Sequence, residues 1–214
     1  MNNNSTKNTQ GNLARMLFIS AGKHDVTFPA DIDKEKYLID FIDASKLQEL
    51  SNIEDSKYNL IWSFNHLSSY YAHDIVHILR NMHRILQENG QVILIVPNLT
   101  AICQVIADGK LENKLSDDNI LTPIDLLYGN RQQINQGNLF ASCKTGFSSV
   151  TLANKFIKAG FGNILSDATT REYSIIAHAV KVKNFAKPFV SVKNPDVNKM
   201  IQARDHLEKE PKIW

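Results

Sequence analysis

The residues of this 214-residue chain that could bind a polar ligand lie at the ends of short apolar runs. The run from Met16 to Ile19 is followed by Ser-Ala-Gly, three residues small enough to let the backbone approach a ligand closely. Carboxylates and an amide near the ends of the later runs could accept hydrogen bonds from a ligand. The candidates for ligand contact are Ser20, Ala21, Gly22, Asp31, Asp43, Ala44, Phe64 and Asn65.

The stretch from Tyr58 to Leu99 predicts the strand, helix and strand that would position Asn65. Its two ends, 58–64 and 91–96, are apolar and rich in Ile, Leu and Val, which is typical of strands buried on both faces of a parallel sheet. Between them lies one apolar helical stripe, made of Ile75, Ile78, Leu79, Met82, Ile85 and Leu86. Such a βαβ unit places the end of its first strand in the crevice where open α/β sheets bind ligands.

The same unit resembles a known family. Its helix ends in Leu-Arg-x-x-His-Arg-Ile-Leu-x-x-x-Gly and the strand after it ends in Val-Pro-Asn. This pattern is similar to that of class I S-adenosylmethionine-dependent methyltransferases, whose helix usually ends in Arg-Val-Leu-Lys-Pro-Gly-Gly. One of the two turn glycines is replaced here by Asn89. Because Asn tolerates left-handed backbone, we expect the turn to be kept.

A second match lies nearer the C-terminus. Thr145-Gly146-Phe147 and Ala159-Gly160-Phe161 resemble the family's entry to and exit from a core helix. We expect Ser148 or Ser149 to cap this helix and Gly160 to end it. Two closing strands, 163–169 and 173–180, should follow. The resemblance covers roughly residues 14–181.

The resemblance implies a fold and a cofactor. The fold would be a Rossmann-like α/β fold, with a mostly parallel sheet, helices on both faces and an antiparallel last strand. The cofactor would be S-adenosylmethionine, with the loop Ser20-Ala21-Gly22 near its amino-acid half. Residues 23–30 leave too little room for a crossover helix, so we expect an irregular loop leading to a strand that ends at Asp31. Asp31 would then accept hydrogen bonds from the ribose, and Asp43 with Ala44 would contact adenine.

Several features depart from the family pattern and keep alternatives open. Only one glycine remains in the first loop, Leu67 is followed by two serines instead of Glu-His, and no histidine precedes Lys144. Asp31 fits a solvated turn about as well as a ribose contact. The chain is therefore either a methyltransferase with an unidentified acceptor, such as a small molecule, or an inactive methyltransferase-like binding or regulatory module. A nicotinamide oxidoreductase is disfavoured because no Gly-x-Gly-x-x-Gly turn follows the first strand.

The composition limits the partners. Lysine and arginine number 24 against 22 acidic residues, and this balance indicates neither nucleic acid nor an anionic membrane as a partner. The two cysteines, Cys103 and Cys143, lack a metal-binding spacing, and no metal is expected. We see no signal peptide and no membrane-spanning run, and we expect a cytoplasmic protein. The sequence leaves the oligomeric state open.

The chain divides into three parts. Residues 1–12 are polar and should be disordered, because they carry too little apolar surface to offset the entropy of ordering. Residues 13–183 form the methyltransferase-like domain, and within it Thr122-Pro123 predicts a helix start in an insertion suited to substrate recognition. Residues 184–214 are expected to be a helical appendage, with a helix start at Asn194.

Overall fold

The structure, a computed structural model, describes residues 13–21, 33–114, 121–168, 173–183 and 187–193. Five predictions lie outside these residues: the disordered segment 1–12, Gly22, the irregular loop 23–30, Asp31 and the helix from Asn194. The division of the chain into three parts therefore stays a prediction.

Within the described residues, seven strands form one sheet. They are β1 (Ala14–Ser20), β2 (Tyr37–Asp43), β3 (Tyr58–Phe64), β4 (Leu86–Pro97), β5 (Asn163–Ala168), β6 (Ser174–Val180) and β7 (Phe189–Lys193). Their order is β2-β1-β3-β4-β6-β5-β7, and every pairing is parallel except the two made by β6. The predicted Rossmann-like α/β fold with an antiparallel closing strand is confirmed.

The helices follow the predicted pattern closely. They are α1 (Ile75–Ile85), α2 (Leu99–Ala107), α3 (Pro123–Tyr128), α4 (Arg131–Asn135) and α5 (Ser149–Ala159). Short 3-10 segments cover Lys34–Lys36, Ala44–Asn52, Leu67–Ser69 and Leu139–Ala141. The predicted caps are confirmed, since α5 begins after Ser148 and ends at Gly160, which has a φ of 103°. Asn89 has a φ of 61°, so it adopts the left-handed conformation expected in place of a turn glycine.

One face of the sheet carries the main core. The α1 stripe is buried there against α5 and the 3-10 segment Ala44–Asn52, and all six of its predicted residues are 2% exposed or less. Burying one such aliphatic side chain contributes about 1.5–3 kcal/mol. Strands β1, β3 and β4 lie side by side at the centre, as their apolar sequences predicted. This rigid centre fixes the strand ends that form the candidate site.

The other face carries a smaller cluster of Met16, Phe18, Leu60, Trp62 and Ile95. All members of this cluster that the structure describes come from strands, and the described helices α1 and α5 belong to the first face. Phe18 from this cluster contacts Phe41 of β2, with ring centroids 5.8 Å apart. Phe18 therefore connects the cluster on the second face to the carboxyl edge of the sheet.

The sheet adds two features to the sequence analysis. The strand beside β1 is β2, with Ser20 paired to Asp43, and on its other side β1 pairs with β3. The strand predicted to end at Asp31 lies outside the described residues and stays a prediction. The second feature is β7, a strand of residues 189–193 that lies parallel to β5 and that the sequence analysis did not predict.

Candidate functional site

A cavity of about 320 Å³ opens at the carboxyl ends of the central parallel strands. Phe18 and Ala21 from the end of β1, Phe64 and Asn65 from the end of β3, and Pro97 from β4 contribute to its lining. Crevices at this edge of open α/β sheets are the usual ligand sites, and the volume lies at the lower end for small-molecule pockets. Three predicted site residues, Ala21, Phe64 and Asn65, are thus brought together.

The other described candidates lie around the cavity and do not line it. Ser20 is the last residue of β1 and is only 3% exposed. Ala44 is fully buried, and its carbonyl accepts a 2.7 Å hydrogen bond from the Tyr70 hydroxyl. Asp43 is exposed at the end of β2, next to Ser20. Their predicted contacts with a cofactor stay predictions.

Asp43 presents a carboxylate at the strand end nearest to β1. Its Oδ1 atom accepts hydrogen bonds from the Ser45 hydroxyl at 2.7 Å and the Ser45 N–H at 2.8 Å. These bonds lower the pKa of Asp43 below its ordinary value, so the carboxylate is charged at neutral pH. Within the described residues, Oδ2 makes no hydrogen bond of its own. This oxygen is available to accept from a ligand.

Asn65 has an unusual backbone at the end of β3. Its φ is 57°, and its N–H donates a 2.7 Å hydrogen bond to the Ile95 carbonyl. Asn is one of the few residues other than glycine that enters this left-handed region readily. Its side-chain Oδ1 is buried and has no hydrogen-bond partner in the described part of the chain. An unpaired buried acceptor is uncommon in folded proteins and often marks a functional position.

The opposite wall of the cavity, here called the roof, consists of residues 121–143. It includes α3, α4 and the 3-10 turn Leu139–Ala141. The chain just after the roof is attached to the core, because the N–H groups of Lys144 and Thr145 both donate to the Ser68 carbonyl, at 2.8 and 3.1 Å. This is the insertion that the sequence analysis assigned to substrate recognition, and it lies directly over the strand ends.

A cluster of charged side chains links the start of α3 to the start of α4 in the roof. Arg131 donates from Nε to Asp125 Oδ1 at 2.7 Å and from Nη2 to Glu112 Oε2 at 3.1 Å. Thr122 donates to Asp125 Oδ2 from both its N–H and its hydroxyl. Although desolvation opposes ionisation, the hydrogen bonds from Arg131 and Thr122 lower the pKa of Asp125 to about 2. The sequence pattern around Thr122 predicted the helix start but not this cluster.

Cys143 and His66 also line the cavity. The Cys143 sulfur lies 3.7 Å from the Ser68 hydroxyl and 3.7 Å from the Leu126 carbonyl. Burial raises the pKa of the Cys143 thiol, so it stays protonated at neutral pH. The sequence analysis gave neither residue a ligand role, because an isolated Cys or His carries no positional signal by itself.

The described residues contain no group of three or more His, Cys, Asp or Glu that could hold a metal ion. No helix in that part of the chain is long and apolar enough to cross a membrane.

No protein family and no curated protein matches the sequence. Solved structures with a similar fold include an S-adenosylmethionine-dependent methyltransferase from Archaeoglobus fulgidus, with 11% identity, a TM-score of 0.48 and 79% and 87% of the two chains covered. Another, from Methanosarcina mazei, has 11% identity, a TM-score of 0.47 and coverage of 80% and 93%. A putative O-methyltransferase from Nostoc punctiforme has 16% identity and a TM-score of 0.42. The match covers 69% of this chain and 37% of the Nostoc one.

Proposed function

We propose that this chain is an S-adenosylmethionine-dependent methyltransferase that acts on a small, unidentified acceptor. The observation that carries the proposal is the cavity at the carboxyl ends of β1, β3 and β4, beside the paired strand ends Ser20 and Asp43. In nucleotide-binding α/β folds, an acid about 20 residues beyond the first strand accepts hydrogen bonds from the ribose. Asp43 lies 23 positions after Ser20 and has one carboxylate oxygen without a partner in the described residues.

The residues at this edge fit the cofactor. Asp43 would accept from the ribose hydroxyls, which is the role the sequence resemblance gave to Asp31. Ala21 leaves space for backbone to approach the amino-acid half, and Asn65 Oδ1 offers an acceptor to a donor group. When bound, S-adenosylmethionine supplies an electrophilic methyl group on a sulfonium.

The chain's own residues would act mainly by positioning. Phe18 and Phe64 give the cavity apolar walls, which limit water around the reacting atoms. The roof residues would hold the acceptor in line with the methyl group. Correct alignment of two bound reactants supplies a large part of the rate enhancement, so a dedicated base is not obligatory.

A second candidate function is a binding or regulatory module that has lost methyl transfer. The observation in its favour is the state of two titratable groups in the cavity. Asp125 is engaged by Arg131 and Thr122, and Cys143 is protonated, so neither is suited to accept a proton. The two functions share ligand binding and differ only in turnover.

Calorimetric titration with S-adenosylhomocysteine, the demethylated product, tests the shared step. We expect saturable binding with one site per chain. Mass spectrometry of the purified protein for retained cofactor gives a second readout. Absence of binding in both experiments would remove the methyltransferase proposal and the cofactor-binding module together.

The location in the cell is also a proposal. Cys103 and Cys143 are both free thiols. Free thiols suit a reducing compartment, and we propose the cytoplasm. Mass spectrometry after thiol alkylation of cell extracts would find both cysteines labelled without prior reduction.

A further inference from the structure

The part of the cavity formed by the roof has little available charge. Among the described lining residues there is no lysine or arginine, although lysines and arginines make up 24 of the 214 residues of the chain. The lining groups there that can carry charge are His66, Asp125 and Cys143. Two of these three are unavailable to a charged ligand, for different reasons.

The carboxylate of Asp125 is already fully used. Its Oδ1 accepts from the Arg131 side chain at 2.7 Å, and its Oδ2 accepts from the Thr122 hydroxyl at 2.7 Å and the Thr122 N–H at 3.0 Å. The Asp125 side chain is only 10% exposed. The Arg131 charge that balances it also pairs with Glu112, and Arg131 does not line the cavity. A cationic ligand would find this carboxylate neutralised.

Cys143 is neutral for a separate reason. Burial raises the pKa of its thiol, and within the described residues no cationic side chain contacts the sulfur to offset this. The cavity wall around Cys143, Ser68 and Leu126 is therefore uncharged at pH 7.

The polar groups that remain on the roof are amides. Asn130, Gln133 and Asn138 all line the cavity. Asn138 donates from Nδ2 to Gln133 Oε1 at 3.2 Å, which brings the two exposed side chains together at the cavity rim. This bond leaves Gln133 Nε2 as a donor and Asn138 Oδ1 as an acceptor, neither with a partner in the described part of the chain. A donor and an acceptor side by side suit a ligand that carries both.

We propose that the acceptor molecule bound under the roof is an uncharged small molecule with an apolar ring and an adjacent hydrogen-bond donor and acceptor. Phe64 and Phe140 supply apolar contact for the ring, and the Gln133–Asn138 pair contacts its polar edge. This inference rests on the proposed function, because it identifies the second substrate of the same site.

Charged acceptors are disfavoured by desolvation. A carboxylate or phosphate that enters this part of the cavity loses its hydration and finds no lysine or arginine among the described lining residues, only the His66 ring. An ammonium group loses its hydration beside an acid that Arg131 already neutralises. A neutral amide or hydroxyl exchanges its water hydrogen bonds for those of Gln133 and Asn138.

Three probes of nearly equal shape test this preference at pH 7: benzamide, benzoate and benzylammonium. Binding of each probe is measured by NMR on the signals of the probe, with and without S-adenosylhomocysteine. Competition between the probes checks that they share one site. We expect benzamide to bind. We expect the dissociation constants of the two charged probes to be higher by a factor on the order of ten or more, which corresponds to about 1.4 kcal/mol of binding free energy. Equal or tighter binding of benzoate or benzylammonium, or no binding of benzamide, overturns the proposal.

Variants locate the effect. Gln133→Glu keeps the oxygen that accepts from Asn138 but replaces the free donor by a negative charge, so it should weaken benzamide and favour benzylammonium. Gln132→Glu adds the same charge on a neighbouring residue that does not line the cavity and should leave the preference unchanged. Equal effects of the two variants overturn the proposal.

The probes are also measured without S-adenosylhomocysteine. If the cofactor does not bind, the proposed function is removed, but the probe measurements still decide whether the cavity prefers uncharged ligands.

Discussion

Ser20 and Asp43 are direct neighbours at the carboxyl ends of two parallel strands, β1 and β2. The side chain of Ser20 is buried, whereas Asp43 is exposed with one oxygen hydrogen-bonded to Ser45. At this corner of the sheet, the backbone that follows β1 lies next to the Asp43 carboxylate, a charged hydrogen-bond acceptor. This corner adjoins the cavity through Ala21.

The first prediction concerns Asp43. Asp43→Ala should raise the dissociation constant of S-adenosylhomocysteine about 10- to 100-fold, because hydrogen bonds to a charged group contribute roughly 1.5–3 kcal/mol. Calorimetric titration measures the change. Asp43→Asn, which keeps an oxygen for Ser45, separates ligand contact from capping, since it should retain stability but not full affinity. Glu49→Ala, an exposed acid on the same 3-10 segment, is the control and should bind normally.

The second prediction concerns the closure of the roof at Gly129. A Cβ there would lie 2.1 Å from the Ala141 carbonyl oxygen, where Gly129 forms an antiparallel bridge with Ser142. Gly129→Ala should lower the melting temperature clearly and weaken ligand binding, because the two segments of the roof must separate.

Gly137→Ala is its matched control. Gly137 also has a positive φ, 93° against 103°, but a Cβ there meets nothing within 4 Å. It carries only the conformational cost of a non-glycine residue at positive φ, roughly 1–2 kcal/mol. Equal melting temperatures for the two variants would contradict a steric role for Gly129.

The third prediction concerns Arg131. Arg131→Met removes the bonds to Asp125 and Glu112 and should speed hydrogen exchange of the amides between residues 122 and 135, measured by mass spectrometry without ligand. Arg131→Lys should restore little, because the planar fork that reaches both acids is lost. Arg80→Met, at an arginine with one 3.4 Å bond to the Lys158 carbonyl, is the control. Unchanged exchange in the roof of Arg131→Met would contradict the assignment.

The central elements could be predicted because their patterns are local. The stripe of α1, the cap at Ser148 and the left-handed Asn89 each depend on residues close in sequence, and all are confirmed. The place of β2 beside β1 was not predicted, because strand order depends on pairing between segments that are distant in sequence. No run of residues encodes that relationship.

In the roof, too, local features could be predicted from the sequence and long-range contacts could not. The sequence predicted the start of α3 from Thr122 and Pro123, and the structure confirms it. The contact of Arg131 with Glu112 spans 19 positions and depends on how two segments pack. Ser20 was predicted at the end of the first strand, next to the ligand, and it is the last residue of β1, with a buried side chain that the sequence did not indicate. Whether it contacts a cofactor through its backbone stays a prediction.

The fourth prediction concerns the pH dependence of stability. His83 lies at the junction of α1 and α5, with its ring edge-on to Phe161 at 5.0 Å between centroids. Its Nε2 is buried close to the Gly160 backbone and makes no hydrogen bond of good geometry within the described residues. Burial and the nearby Lys181 charge lower the pKa of His83 below 6.5, and they outweigh the Gly160 backbone, which acts to raise it. The folded protein therefore holds His83 neutral.

The direction of the effect follows from proton binding. As the pH falls below about 6.5, the unfolded chain takes up a proton at this position before the folded chain does, so the free energy of unfolding decreases. The loss is at most about 1.4 kcal/mol per pH unit for one group and ends below the folded-state pKa. Burial also lowers the pKa of His178, which adds a loss of the same sign. The loss linked to Asp125 falls lower, between about pH 4 and its folded pKa of about 2.

Urea unfolding at several pH values between 5 and 8 measures this dependence. His83→Gln should flatten the decline below pH 6.5 and leave the contribution of His178. His73→Gln is the control for the substitution itself, because the His73 side chain is 79% exposed. If His83→Gln and the parent protein lose stability equally between pH 7 and pH 5, the buried neutral state of His83 is not the cause, and His178 remains the group to test by the same substitution.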